Sequence, residues 1–392
     1  MKKILFDFIS LQDNFINGGM LYTQKILFEI LNREIIVYGL YDGKLPINEK
    51  INEISKKYMI NLLNIRDKKI FRTIDALQID TLFIGIAQRY NNFDLCNLKC
   101  KIIIVCHDLY DKSLGYFGIA ESRSLRLFRK KYIVQDKKNI MLFILRKIMY
   151  FFVLLRQYTL KKNAEHNYTY FMKLIQQSNV YVITGSEYSR CSIQFFLNEP
   201  KNGIKVYYPP ICDQSYTAIE KINYFNEIKQ KKYFLLVSVD RLAKNAALFI
   251  SQWGKFCSSV NDEYYCILVG KIRLNMKNCI IIEKVHAKEL GFLYKNAFAL
   301  VYPSFSEGFG YPPLEAAIYN TPSICANVTS IPEICGDMAV YFSPFYPEDL
   351  YKAMIEMTKN RDVYVEKTKK RILEIEEKQK TDLEKIINMI LD

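Results

Sequence analysis

Two glutamates lie eight positions apart in the stretch SFSEGFGYPPLEAA, residues 304–317. Glu307 belongs to a turn that holds Gly308 and Gly310, and glycine lets a backbone approach a ligand closely. Glu315 follows a Pro-Pro step, which predicts a helix start with Glu315 in its first turn. Free N–H groups at such a loop and helix start suit a diphosphate without requiring a metal ion, and carboxylates can accept hydrogen bonds from ribose or sugar hydroxyls. The stretch predicts a site for a phosphorylated sugar.

Length and composition predict a globular protein of two domains. The chain has 392 residues, half of them apolar and about a quarter charged, and a single core rarely grows to that size. The opening MKKILFDFIS is typical of a first β-strand rather than of a signal peptide, because its apolar run is very short. We therefore expect a cytoplasmic protein.

The ten cysteines form no Cys-x-x-Cys pair, as expected of buried thiols in a reducing compartment. Cys96, Cys100, Cys106 and His107 could be imagined as zinc ligands. Cys106 and His107 end an apolar strand, however, where successive side chains point to opposite faces. We therefore predict no metal site and no cofactor.

The net charge of +14 suggests an anionic partner. Residues 123–162 are rich in Lys, Arg and large apolar residues and contain a single acid, Asp136. Neither half of this segment is long enough to span a bilayer, so it predicts a helix in the interface of an anionic membrane. The predicted contacts are Arg129, Lys130, Lys131, Lys137, Lys138, Arg146 and Lys147. The alternative is a helical pair with a solvated basic face. No nucleic-acid-binding signature accompanies the charge.

Apolar strand-like runs alternate with helical stretches, which predicts an α/β protein with parallel sheets. The first series of strands is expected at 3–8, 34–40, 80–86, 100–106, 180–185 and 204–208. The second is expected at 233–239, 264–270, 278–285, 297–303, 322–326 and 338–342. The predicted organisation is a first Rossmann-like domain over 1–208 with an insertion at 115–178, a second over 209–375, and a C-terminal helix at 376–392 that returns to the first domain. Ligands of such sheets bind beyond the carboxyl ends of the strands, in a cleft between the domains.

Residues 302–350 resemble the donor-binding block of the retaining GT-B glycosyltransferases of family 4, a group 1 family marked by two glutamates separated by seven residues. VSVDRLAKNAALFI (237–250), ITGSEYSRCSI (183–193), IVCHDLY (104–110) and INGGM (16–20) extend the resemblance more weakly over most of the chain. The resemblance implies a GT-B fold and transfer of a hexose from a nucleotide diphosphate sugar.

The resemblance also implies roles for individual residues. Glu315 would hold the ribose, and Glu307 the transferred sugar. Arg241 and Lys244 would neutralise the leaving diphosphate. His107 would line the cleft near the sugar, with Asp108 beside it. The remaining donor-binding positions would be Gly308, Phe309 and Gly310 in the loop, Val285 near the base, and Gly18 and Gly19 at the first helix.

Three departures from the family pattern stand out. The spacing from Arg241 to Lys244 is shorter than the commonest form, and Asn320 stands where glycine is frequent. Segment 123–162 lengthens the first domain, which would receive the acceptor. The prediction is a peripheral enzyme at the cytoplasmic face of the inner membrane that extends a polyprenyl-diphosphate-linked glycan of a surface polysaccharide. The alternatives are another GT-B enzyme, such as a nucleotide-sugar epimerase or a phosphorylase, and a non-catalytic partner subunit. An epimerase lacks the paired-glutamate block, and a phosphorylase would be expected to show a cofactor lysine.

Overall fold

The structure is a computed structural model that describes most of the chain. The described residues are 1–12, 18–91, 93–109, 169–210, 228, 230–261 and 263–392. The predicted membrane contacts lie outside these ranges: Arg129, Lys130, Lys131, Lys137, Lys138, Arg146 and Lys147. Within them, no helix combines the length and the apolarity needed to cross a bilayer.

A parallel sheet forms the core of the first domain. Its strands are β1 (Lys3–Asp7), β2 (Ile36–Tyr41), β3 (Asn61–Asn64), β4 (Thr81–Ile84), β5 (Lys101–Val105), β6 (Val180–Thr184) and β7 (Ile204–Val206). They are arranged in the order β3-β2-β1-β4-β5-β6-β7, and all neighbours pair in parallel. The central strands are buried on both faces, which explains their continuous runs of Ile, Leu, Phe and Val.

A second parallel sheet forms the core of the second domain. Its strands are β8 (Tyr233–Val237), β9 (Tyr265–Val269), β10 (Cys279–Ile282), β11 (Ala299–Tyr302), β12 (Ser323–Ala326) and β13 (Ala339–Phe342). Their order, β10-β9-β8-β11-β12-β13, repeats the pattern of the first six strands. Two parallel sheets of this order confirm the prediction of two Rossmann-like units.

Helices connect the strands and cover both sheets. They are α1 (Gly18–Leu31), α2 (Glu49–Lys57), α3 (Ile70–Leu77), α4 (Glu187–Leu197), α5 (Ala246–Ser259), α6 (Ala287–Asn296), α7 (Tyr311–Ala317), α8 (Ile331–Cys335) and α9 (Pro347–Leu391). Helix α4 begins after Ser186, whose hydroxyl accepts a hydrogen bond from the N–H of Ser189 as an N-cap.

Strand β3 was not predicted from the sequence. Its residues NLLN carry only two apolar side chains, and it pairs with β2 alone at the edge of the sheet. An edge strand needs no continuous apolar run because less of its surface is buried. The apolar signal on which the other strands were predicted is therefore missing.

Helix α9 crosses from the second domain to the first. It is interrupted at Asn360, whose backbone is non-helical, and Met354 and Met357 before this point pack in the second core. Near its other end, Ile386 and Ile390 pack in the first core beside β1. The Lys101 ammonium of β5 also donates a hydrogen bond to the carbonyl of Met389 at 2.7 Å. The last helix thus joins both domains.

Candidate active site

Each sheet has a topological switch point, where the strand order changes direction. It lies between β1 and β4 in the first sheet and between β8 and β11 in the second. Loops that leave two such neighbours separate to opposite sides of the sheet, and they leave a crevice beyond the carboxyl ends of the strands. The side chains that follow β8 and β11, and those that follow β1, β4 and β5, therefore build the candidate site.

The residues 304–310, which we call the glycine loop, follow β11 and contact the turn that follows β8. The N–H of Phe305 donates to the carbonyl of Ala243 at 2.9 Å, and the Ser304 hydroxyl oxygen lies 3.1 Å from the same carbonyl oxygen. The N–H of Glu307 donates to the hydroxyl of Thr329 at 3.1 Å, in the loop after β12. The glycine loop is thus fixed by its neighbours on both sides.

Lys244 and Glu307 form an ion pair across the switch point of the second sheet. Their Nζ and Oε1 atoms are 2.6 Å apart, and only 7% of the Lys244 side chain and 17% of the Glu307 side chain are exposed. The Lys244 ammonium also donates to the Tyr302 hydroxyl at 2.8 Å, and the Ser304 hydroxyl donates to the Glu307 carboxylate. The cation and these polar groups satisfy a carboxylate that has little access to water.

This environment keeps Glu307 ionised. Burial raises the pKa of Glu307, but the nearby Lys244 ammonium and the hydroxyls of Ser304 and Tyr302 offset it, so the pKa lies below the usual value. Burial and the Glu307 carboxylate raise the pKa of Tyr302, so its phenol stays protonated. The site therefore holds Glu307 as a carboxylate that is paired with the Lys244 ammonium. Tyr302 and Ser304 were not singled out from the sequence, although both flank the end of a predicted strand.

Arg241 and Lys244 do not act as a matched pair of cations in this structure. Arg241 precedes a short 3-10 turn over Leu242–Lys244 and is exposed, whereas Lys244 is buried against Glu307. The short spacing explains the difference, because one tight turn carries the chain from the surface at Arg241 to the interior at Lys244. Arg241 is thus the one of the two that is open to solvent.

Glu315 lies further along helix α7 than the sequence predicts. The helix starts at Tyr311, after Gly310 with φ 107°, so Glu315 is its fifth residue and lies beyond the first turn. Pro312 and Pro313 are the second and third residues of the helix, and neither is its first residue. The Tyr294 hydroxyl of α6 donates to Oε2 of Glu315 at 2.7 Å. Burial raises the pKa of Glu315, although Tyr294 and Lys244 act in the opposite direction.

The N–H donors come from the glycine loop more than from the helix. Pro312 and Pro313 have no N–H, so two of the first positions of α7 cannot donate. Within the described part of the chain, the N–H groups of Gly308, Phe309 and Gly310 donate no hydrogen bond. Three consecutive unused donors at a strand end can bind a phosphate or a sugar oxygen.

The first domain contributes His107, directly after β5. Its Nε2 lies 2.9 Å from the carbonyl oxygen of Gly85, and its ring meets Tyr22 edge to face at 5.3 Å. Burial lowers the pKa of His107 against the opposing effects of Asp108 and the Gly85 carbonyl. The imidazole is therefore neutral near pH 7. Because a carbonyl only accepts, we assign the proton to Nε2, which leaves Nδ1 as an acceptor.

Asp7 fixes the loop that carries Gly85. Its buried carboxylate accepts hydrogen bonds from the Gly85 N–H at 3.0 Å, from the Tyr90 hydroxyl at 2.7 Å and from Ser10. Burial raises the pKa of Asp7 despite these donors. Asp7 was not singled out from the sequence, because one acid at a strand end has no distinctive sequence pattern. The carboxylate links β1 with the residues after β4, across the switch point of the first sheet.

The two domains touch closely at two of the predicted glycines, Gly308 and Gly18. An added Cβ on Gly308 would lie 2.0 Å from the carbonyl oxygen of His107 and 2.9 Å from Cβ of Asp108. An added Cβ on Gly18 would lie 3.2 Å from the ring of Tyr311. An added Cβ on Gly19 would lie 2.8 Å from Ile86 and 3.4 Å from the His107 ring. The structure thus brings the first helix, His107 and Asp108 together with the glycine loop.

Two further points raised by the sequence concern Val285 and the cysteines of the first domain. Val285 is partly buried between β10 and α6, where it packs against the core of the second domain. Cys96, Cys100, Cys106 and His107 do not form the zinc site considered above. Among the described residues, no three His, Cys, Asp or Glu side chains lie together as metal ligands.

Comparison with known proteins relates part of the chain to one family. Residues 219–379 match the family of group 1 glycosyl transferases. An O-antigen chain mannosyltransferase of Salmonella typhimurium, RfbU, is 31% identical over 138 residues, which cover 33% of this chain and 39% of that protein. An O-antigen chain mannosyltransferase B of Escherichia coli is 49% identical over 57 residues, 14% of this chain and 15% of that protein. The matches thus span well under half of these relatives.

The fold has close counterparts among solved structures. The Anabaena protein HepE in complex with UDP and glucose superposes with a TM-score of 0.67 at 12% identity, over 99% of both chains. At this identity the likeness shows the fold alone. Together with the two parallel sheets, it shows that the chain has the GT-B fold, and the part of the chain over 219–379 is similar to group 1 glycosyl transferases.

Proposed function

We propose that the protein is a retaining glycosyltransferase that moves a hexose from a nucleotide diphosphate sugar to a polyprenyl-diphosphate-linked glycan. The donor is a GDP-mannose-like or UDP-linked sugar, and the product belongs to a surface polysaccharide such as an O-antigen or capsule. Two relatives named as O-antigen chain mannosyltransferases support this pathway. The observation that carries the proposal is the ionised Glu307, held by Lys244 beside three unused N–H donors.

The donor sugar fits the arrangement of the second domain. Its diphosphate accepts hydrogen bonds from the N–H groups of Gly308, Phe309 and Gly310, and Arg241 neutralises the charge that develops as it leaves. Glu315 accepts hydrogen bonds from the ribose hydroxyls, and Val285 lies near the base. Gly18 and Gly19 let the start of α1 approach the phosphates or the acceptor without a side chain in the way.

The transfer takes place at the face where the domains meet. The bond between the anomeric carbon and the phosphate oxygen breaks as the acceptor oxygen bonds to the same face of that carbon. The leaving phosphate oxygen takes the acceptor's proton, so the products are a nucleoside diphosphate and a glycan longer by one sugar. Glu307 stabilises the positive charge that develops on the sugar, and the neutral His107 accepts a hydrogen bond at Nδ1 with Asp108 beside it. No residue acts as a covalent nucleophile, and the reaction needs no metal or cofactor.

The proposed acceptor is a membrane lipid, so the enzyme must act at a membrane surface. A polyprenyl-linked glycan remains anchored in the bilayer, so the transferase works as a peripheral protein at the cytoplasmic face of the inner membrane. The basic and apolar segment 123–162 supports this placement by its composition.

A thermal-shift panel with UDP, GDP, dTDP and ADP sugars tests the donor class, because a ligand that binds the folded state raises its stability. The nucleotide sugar that stabilises the protein is then incubated with a polyprenyl-diphosphate-linked acceptor, and NMR of the anomeric proton reports retention or inversion. We expect stabilisation by one nucleotide family and a retained anomeric configuration. Stabilisation by none, together with no turnover by the purified chain, would favour the non-catalytic partner subunit.

A further inference from the structure

Serine hydroxyls hold three consecutive carbonyls of the glycine loop. The Ser330 hydroxyl donates to the carbonyl of Glu307 at 2.9 Å and lies 3.1 Å from that of Phe309. The carbonyl between them, that of Gly308, accepts from Ser186 at 2.7 Å and from Ser189 at 3.1 Å. All three serines are buried. Each carbonyl oxygen of the segment 307–309 thus lies within hydrogen-bond distance of a serine hydroxyl.

The direction of these carbonyls fixes the direction of the N–H groups that follow them. In a trans peptide the C=O and the next N–H point to opposite sides, and the described residues contain no cis peptide. A carbonyl directed at a serine therefore turns the N–H of the following residue away from that serine. The N–H groups concerned are those of Gly308, Phe309 and Gly310, which have no partner within the described part of the chain.

Two of the three serines belong to the other domain. Ser186 caps helix α4 and Ser189 lies in its first turn, both after β6 of the first sheet, whereas Ser330 follows β12 of the second sheet. The same helix start is joined to the second domain by Glu333, whose carboxylate accepts from the N–H groups of Glu187 at 2.9 Å and Tyr188 at 3.1 Å. The orientation of the Gly308 carbonyl therefore depends on contact between the domains.

We propose that Ser186, Ser189 and Ser330 are positioning residues that aim the glycine-loop N–H groups at the donor's diphosphate, and that the donor site is complete only when α4 contacts the loop. This inference rests on the proposed function. It assigns the start of α4, in the domain that receives the acceptor, a part in donor recognition. The serines act through the backbone of the loop and touch no substrate themselves.

The effect should be specific for the β-phosphate and the groups attached to it. A nucleoside monophosphate lacks the phosphate that the loop would contact, while its base and ribose are bound elsewhere in the second domain. Loss of the serine hydroxyls should therefore weaken the binding of a nucleoside diphosphate and leave the binding of the monophosphate unchanged. General damage to the domain would weaken the binding of both nucleotides.

The experiment uses isothermal titration of GDP, GMP, UDP and UMP into the full chain. The variants are Ser186→Ala with Ser189→Ala, and separately Ser330→Ala; Ser192→Ala, a buried serine on the same helix, is the matched control. We expect the dissociation constant of the nucleoside diphosphate to rise about tenfold in the double variant and in Ser330→Ala. The dissociation constant of the monophosphate should stay at the wild-type value in these variants. In Ser192→Ala the dissociation constants of both nucleotides should stay at the wild-type values.

The single variants Ser186→Ala and Ser189→Ala guard against a double variant that does not fold. Each single variant keeps one serine hydroxyl on the Gly308 carbonyl. Each should therefore show a smaller loss of affinity for the nucleoside diphosphate, again with no change for the monophosphate. An unchanged ratio of diphosphate to monophosphate affinity in all folded variants would overturn the inference and leave the proposed function intact. If the wild-type protein bound none of the four nucleotides, the proposed function would fail and this inference with it.

Discussion

Lys244 and Glu307 meet at 2.6 Å across the switch point of the second sheet, one from the turn after β8 and the other from the loop after β11. The pair joins the two loops between which the donor would bind. It also holds a negative charge in a place from which water is largely excluded.

Replacement of Lys244 by Met should destabilise the protein and lower its activity. The change leaves Glu307 buried without its cation, which costs about 3 kcal/mol in the free energy of unfolding. Adding Glu307→Gln removes the uncompensated charge and should recover most of that stability without recovering transfer. Chemical denaturation and initial-rate assays on both variants measure the two effects, and a Lys244→Met protein as stable as the wild type would contradict the prediction.

The same pair gives a pH dependence of stability with a definite sign. The pKa of Glu307 is lower in the folded than in the unfolded chain, so its contribution is present above the unfolded carboxyl pKa of about 4.3. The contribution is lost as the pH falls through the depressed folded value. The stability difference between the wild type and the Lys244→Met, Glu307→Gln double variant should therefore shrink on acidification.

Nucleotide affinity should fall at acidic pH because of Glu315. The pKa of this carboxylate is raised, and a protonated Glu315 accepts hydrogen bonds from ribose hydroxyls less well. The Tyr294→Phe variant loses the hydroxyl that donates to Glu315, so its pKa should rise further and the loss of affinity should begin at higher pH. Titration of GDP or UDP between about pH 5 and pH 8 tests this. Identical pH profiles for the wild type and Tyr294→Phe would argue against the assignment.

His107 should affect turnover more than nucleotide binding. His107→Ala removes the group proposed to lie near the transferred sugar, and we expect kcat to fall about 100-fold. His107→Gln can still donate to the Gly85 carbonyl and should retain more activity. Because burial lowers the pKa of His107, wild-type kcat should not change near the ordinary histidine pKa of about 6.5. A titration of kcat at that pH would show that the imidazole changes charge there.

Gly308→Ala should separate the domains. The new Cβ would lie 2.0 Å from the carbonyl oxygen of His107 and 2.9 Å from Cβ of Asp108, and neither atom belongs to the far end of a flexible side chain. We expect loss of transfer with little change in the folding of the second domain, measured by activity and by circular dichroism. Gly254→Ala is the control, because nothing lies within 4 Å of its added Cβ. That helical substitution should keep activity and raise stability by about 1 kcal/mol.

Membrane binding should depend on the basic residues of segment 123–162. Neutralising Arg129, Lys130, Lys131, Lys137 and Lys138 removes the charges that would face anionic lipid, each worth about 1 kcal/mol near the surface. Flotation with vesicles that contain an anionic lipid should show binding by the wild type and its loss in the variant. Vesicles of neutral lipid are the control. Unchanged flotation of the variant would indicate that the segment serves the protein's own packing.

The sequence alone determined the fold class and the location of the candidate site. Continuous apolar strands alternating with helices predicted parallel sheets, because strands buried on both faces need apolar residues at every position. The glycine loop could be placed after β11 because its glycines and prolines mark a turn and a helix start. Strand β3 was missed because NLLN, at a sheet edge, has no such apolar run.

Only the tertiary structure decided which partners the site residues take. Lys244 and Glu307 are far apart in the chain, and nothing in their local sequence shows that the lysine turns inward while Arg241 stays exposed. The serines that hold the glycine loop likewise come from two different domains. Local propensity reports on neighbours along the chain, whereas these contacts depend on strand order and on how the two sheets face each other.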